Sequence, residues 1–116
     1  MSIKRVEVGK RMSQLVVHND TVYTAGQVAE ETAGKSVAEQ TREILARIDA
    51  LLAEAGTDKT RILTAQVWLS DISTFDEMNS VWDEWVPEGN APARACVEGK
   101  LVSPKYAVEI MVVAAK

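Results

Sequence analysis

One cysteine and one histidine are all the sequence offers of the two side chains on which many metal and nucleophilic sites are built. A lone cysteine makes no internal disulfide, which agrees with a reducing compartment and a cytoplasmic location. With no second His or Cys at ligand spacing, a metal site is not expected. His18 abuts the turn residues Asn19 and Asp20 and reads as solvated, so no Ser-His or Cys-His dyad is expected either. Long apolar runs are also missing. The start, Met1 to Glu7, lacks the unbroken apolar segment of a signal peptide, and no later stretch suits a bilayer. Gly26 and Gly34 do not have the spacing of a phosphate loop. Lys and Arg number 13 against 17 Asp and Glu, a net charge of −4. The basic residues are scattered, which argues against nucleic acid as the main partner.

The balance present is that of a globular protein, with 47% hydrophobic and 26% charged residues. A chain of 116 residues suits one domain, 1–116. Leu15 to Val17 and Val22 to Ala25, around His18-Asn19-Asp20, predict a hairpin, with Gly26 bending its second arm. Glu30 to Lys35 reads as a loop. Ser36-Val37-Ala38-Glu39 is a capping box that opens a helix with Ile44, Leu45, Ile48, Leu51, Leu52 and Ala55 on one stripe, stopped at Gly56. Ile62 to Leu69 predicts a strand. A second box, Thr74 to Glu77, is expected to open a helix carrying Phe75, Met78, Val81, Trp82 and Trp85 on one side, ended by Pro87. Two strands follow, near 93–99 and 106–115. The order β-β-α-β-α-β-β predicts an α+β two-layer sandwich with both helices on one face of one sheet. Both faces of the last strand are apolar, Val108, Ile110 and Val112 on one and Met111 and Val113 on the other. The uncovered face therefore predicts an oligomer.

Two charges stand out in this apolar end. Arg94 shares a strand face with Cys96 and Glu98 by the period of two. It reads either as half of an ion pair or as a bidentate clamp for a carboxylate. Glu109 interrupts Val-Glu-Ile-Met-Val-Val, and there it needs a partner, a cavity or solvent. Desolvation in a cavity would raise its pKa, and a nearby Arg would lower it. Cys96 reads as a small core residue. The Trp82 and Trp85 pair reads as helix-face core, with one of the three tryptophans available to line a pocket.

The segments "AGQ" (25–27), "EQTREIL" (39–45), "FDEMN" (75–79), "PARACV" (92–97) and "SPKYAVEI" (103–110), in that order, resemble the RidA (YjgF) family, also catalogued as endoribonuclease L-PSP. The similarity runs from about Ile3 to Ala115. It implies a chorismate-mutase-like fold in a homotrimer, the sheets forming a central barrel with clefts between subunits. It also implies an enamine/imine deaminase that hydrolyses 2-imino acids or 2-aminoacrylate to 2-oxo acids and ammonia without a cofactor. Arg94 would bind the substrate carboxylate and Glu109 would position water and move its proton. Cys96 and Asn79 would lie at the cleft. Where well-known active members carry a tyrosine and a serine, this chain has Met12, in "RMSQ", and Ala25. In that respect it is similar to a smaller bacterial subgroup with a tryptophan-rich second helix. Met12 and Trp82 would make the pocket more apolar, and Arg11 would add an anion contact. A trimer that only binds a small carboxylate metabolite is the alternative. Whether residues 94 and 109 share a sheet face depends on a register that sequence does not fix.

Overall fold

In the computed structural model, which describes residues 2–116, the elements are β1 (Ile3–Val8), β2 (Ser13–His18), β3 (Thr21–Thr24), β4 (Gln27–Val28), α1 (Val37–Glu54), β5 (Ile62–Leu69), α2 (Phe75–Trp85), β6 (Ala93–Glu98) and β7 (Val108–Ala115). The sheet runs β1-β2-β3-β7-β5-β6, and β4 pairs with β7 beside β3. All pairs are antiparallel except β5 with β6, which α2 connects as a parallel crossover. The two-layer α+β plan is the expected one, with two more strands. β1 escaped the sequence reading because Val6 is the one buried residue in IKRVEV, so no alternation marks it. β4 has two residues.

The predicted hairpin is present, turning at Asn19 and Asp20 with Asn19 at φ 56°. The last two strands do not form a hairpin with each other. They flank β5 on opposite sides, because the chain leaves β6 at the sheet edge and returns between β3 and β5.

Pleating sorts the side chains. Leu15, Val17, Val22, Ala65, Val67, Leu69, Val108, Ile110, Val112 and Ala114 point under the helices and are buried. They meet Ile44, Leu45, Ile48, Leu51 and Leu52 of α1 and Met78, Val81 and Trp82 of α2. At about 25 cal/mol per Å² of apolar surface, this contact supplies most of the drive to fold. The opposite face carries Tyr23, Val113, Thr64 and Ala93 in one rung, then Met111, Gln66 and Ala95, then Val28, Glu109, Trp68 and Val97. Among the described residues no element covers it.

The helix ends differ from one another. Ser36 Oγ accepts the Glu39 N–H at 3.1 Å and donates to Glu39 Oε1 at 3.1 Å. Gly56, at φ 82°, donates to the Ala53 carbonyl and closes α1. The second capping box does not form. Thr74 makes no side-chain cap and donates instead to the Asp71 carbonyl at 2.6 Å. Asp71 caps a short 3-10 turn, Ile72–Thr74, that feeds α2. Glu77, the box's acidic member, reaches the free Ala38 N–H of α1 at 2.9 Å. It ties the two helices rather than its own first turn.

Candidate active site

Arg94 projects from the edge strand β6 toward the helix layer, since its register partner Ala65 is a buried, helix-facing residue. Its Nη1 donates to Asn79 Oδ1 of α2 at 2.8 Å. The guanidinium carbon lies 4.9 Å from the Trp82 ring centroid and 5.8 Å from that of Phe75. Such stacking holds the cation by roughly 0.5–2 kcal/mol without using its donors. The Asn79 bond occupies one N–H of a five-donor fork. What remains is a preoriented edge suited to a carboxylate. Cys96, one pleat along the same face, is half-buried against the core. Burial pushes its thiol pKa up, and the charge of Arg94 pulls it down by less. A thiol so placed is not an activated nucleophile.

Trp85 belongs to a different cluster. Its Nε1 donates to Asp49 Oδ2 at 3.0 Å, and Lys59 Nζ sits 5.2 Å over its ring. Trp82 alone of the α2 pair reaches Arg94.

Glu109 points to the uncovered face. In register it stands between Val28 of β4 and Trp68 of β5, with Val97 beyond. Burial raises its pKa, and no basic group offsets the effect. Its carboxylate lies against the backbone of Gly26, in the gap between β3 and β4.

The two charges are therefore on opposite faces. Glu109 aligns with Trp68 and Val97, and Arg94 is three residues from Val97, an odd step that reverses the side. With two strand spacings across and three residues along, their Cα positions are roughly 14 Å apart. One chain does not bring them onto one small ligand. Of the remaining expected residues, Ala25 falls on the Glu109 side, and Met12 and Arg11 lie in an exposed turn. Met12 sits in the β1–β2 turn, 58% exposed. Arg11, beside it, is exposed. Ala25 is next to Gly26, its N–H donating to the Gln14 carbonyl at 2.9 Å.

The family model described as Endoribonuclease L-PSP matches residues 2–116. The chain belongs to this family. A RutC family protein of Haemophilus influenzae is 45% identical over 114 residues, covering 98% of each chain. The RutC family protein YoaB of Escherichia coli is 44% identical over 115 residues, covering 99% of each. A crystal structure of a YjgF family member from Neisseria meningitidis superposes with a TM-score of 0.96 at 43% identity, covering 100% of this chain and 96% of the other.

Three residues beside the charges have a place there that the sequence pattern does not signal. Trp68 forms one wall of the Glu109 setting; the alternation of Ala65, Val67 and Leu69 already places it on the other face. Phe75 has the spacing of the helix stripe, yet it is 38% exposed and lies near Arg94. Gly26 has the look of a bend, and its contact with Glu109 leaves no signal in the sequence.

Proposed function

We propose that this protein hydrolyses small 2-imino acids, or their enamine tautomers, to 2-oxo acids and ammonia in clefts formed between three copies of the chain. The observation that carries the reading is the separation of Arg94 and Glu109 onto opposite faces of one sheet. Each is prepared for a task, and neither completes a site alone. The uncovered apolar face around Tyr23, Met111, Val113 and Val97 supports assembly through the sheet, as in a closed ring. One copy then presents Arg94 and its neighbour presents Glu109.

Arg94, steadied by Asn79 and Trp82, binds the substrate carboxylate and fixes the imine carbon relative to Glu109. As water adds to that carbon, Glu109 takes its proton and passes it to the nitrogen. The resulting carbinolamine loses ammonia as its C–O bond becomes a carbonyl, and the proton balance closes through the same carboxylate. No cofactor enters these steps. The lone thiol of Cys96 suits a reducing cytoplasm.

Imines generated by an amino-acid oxidase provide the test. Wild type should accelerate ketone formation, Arg94→Ala should lose carboxylate recognition, and Glu109→Gln should lose turnover; equal rates in all three would sink the reading. Refolding the two inactive variants together supplies a sharper arm. With random mixing, about a quarter of clefts should regain both charges and activity should reappear; no recovery would place both residues in one chain's site.

A second reading, a ring that binds a carboxylate metabolite without turning it over, is favoured by one observation. Met12 and Ala25 bring no side-chain hydrogen-bonding group near either charge. Calorimetry that finds Arg94-dependent carboxylate binding, with every imine left unchanged, would establish it.

A further inference from the structure

We propose that Gly26 is a positioning residue for Glu109: the side chain missing at residue 26 is the recess that seats the carboxylate, and the buried Gln27 amide holds that recess in place. The proposal rests on the reading above, in which Glu109 handles water.

The contact is spatial rather than conformational. A Cβ built at Gly26 would fall 2.1 Å from Glu109 Oε2, 3.0 Å from Cδ and 3.3 Å from Cγ. The whole end of the glutamate arm therefore lies over the α-carbon. Gly26 is not among the glycines with positive φ, which are Gly34, Gly56 and Gly89. Its backbone would accept another residue, so close approach is the reason for glycine.

The backbone beneath the carboxylate is also unable to retreat. Gln27, 2% exposed, donates through Nε2 to Gln14 Oε1 at 2.9 Å and to the Ala25 carbonyl at 3.0 Å. Its Oε1 accepts from Arg47 Nε at 2.7 Å. The Ala25 N–H is held by the Gln14 carbonyl, and β4 pairs Gln27 with Ile110 and Val28 with Glu109. Buried amide bonds of this kind are costly to leave unmade. A methyl added at 26 would thus be accommodated by the flexible glutamate end. The fold stays and the carboxylate moves.

The experiment compares wild type, Gly26→Ala, Glu109→Gln and the double variant in the imine assay, with Tm for each and a carbon-13 NMR titration of the Glu109 carboxyl in wild type and Gly26→Ala. Gly26→Ala should not lower Tm, should keep KM, lose about 10- to 100-fold in kcat, and add no loss to Glu109→Gln. Its Glu109 midpoint should move down toward the ordinary carboxylate range as the group swings into water. Turnover that depends on Glu109 but survives Gly26→Ala would overturn the proposal and leave the deaminase reading standing. If wild type turns over no imine, that reading fails and the titration decides: a shifted midpoint supports the recess, and an unchanged one overturns it. If Gly26→Ala itself lowers Tm, Gly26→Ala/Glu109→Asp should restore it, because aspartate withdraws the carboxylate by one carbon. Failure to restore it would likewise overturn the proposal.

Discussion

Arg94 and Glu109 are both charges in apolar strands, yet the structure treats them differently. Arg94 is given a hydrogen-bond partner and two rings; Glu109 is given an apolar wall. Removing Asn79 by Asn79→Ala should leave Arg94 charged but free to swing, and KM should rise about 5- to 10-fold, the worth of one charge-assisted hydrogen bond at a partly exposed site. An unchanged KM would mean that Trp82 alone orients the guanidinium. The raised pKa of Glu109 has its own signature. In its proposed role as the base it must be ionised, so kcat/KM should fall with decreasing pH along a limb displaced above the usual carboxylate range. The same sign applies to folding. A carboxyl with a raised folded pKa favours the fold when protonated and loses that contribution as pH rises through the folded pKa. Glu109→Gln should therefore be more stable than wild type at neutral pH, and the difference should shrink in acid. The two charged residues were legible as anomalies because their neighbours are apolar. Their faces were not, since parity depends on how β5, β6 and β7 align in space.

At the scale of elements, helices were easier to read than strands. The stripe from Ile44 to Leu52 lies within one segment, and Ser36 and Gly56 mark its ends by local chemistry. Strand pairing is non-local. The parallel β5–β6 pair and the insertion of β7 between β3 and β5 leave no mark within any one segment. The start of α2 is the instructive miss. Thr74 and Glu77 have the right types and spacing for a capping box, but Asp71 nucleates a 3-10 turn first and Glu77 is drawn to α1. Ser36→Ala should then cost about 1 kcal/mol in denaturant unfolding, and Thr74→Ala clearly less. Equal costs would restore the box. The Glu30–Lys35 loop has a similar tie, since Glu43 accepts from Thr32 Oγ1 at 2.7 Å, the Thr32 N–H at 2.8 Å and the Glu31 N–H at 3.2 Å. Burial pushes the Glu43 pKa up, but these bonds prevail and hold it below its ordinary value.

For the whole molecule, the open face is the main fact. The sequence announced it through Met111 and Val113, because a strand apolar on both sides in a two-layer protein lacks a second cover. In the structure Tyr23 and Met111 remain 44% and 36% exposed on that face. Met111→Glu places a charge there without touching the helix-side core. Light scattering should report a smaller particle, with far-UV dichroism retained and imine turnover lost together with the assembly. A full-size particle would show that copies meet elsewhere.

The placement of Arg94 and Glu109 on opposite sides of one sheet also has a consequence in mass action. With the two charges acting across chains, as proposed, activity would not be first order in protein concentration. Activity per chain should decline on dilution once the assembly dissociates, and progress curves begun from dilute stock should show a lag. A carboxylate ligand that touches both halves binds the assembled form alone, so it should shorten the lag and shift the dilution curve to lower concentration. The substrate would then help to build the enzyme that consumes it.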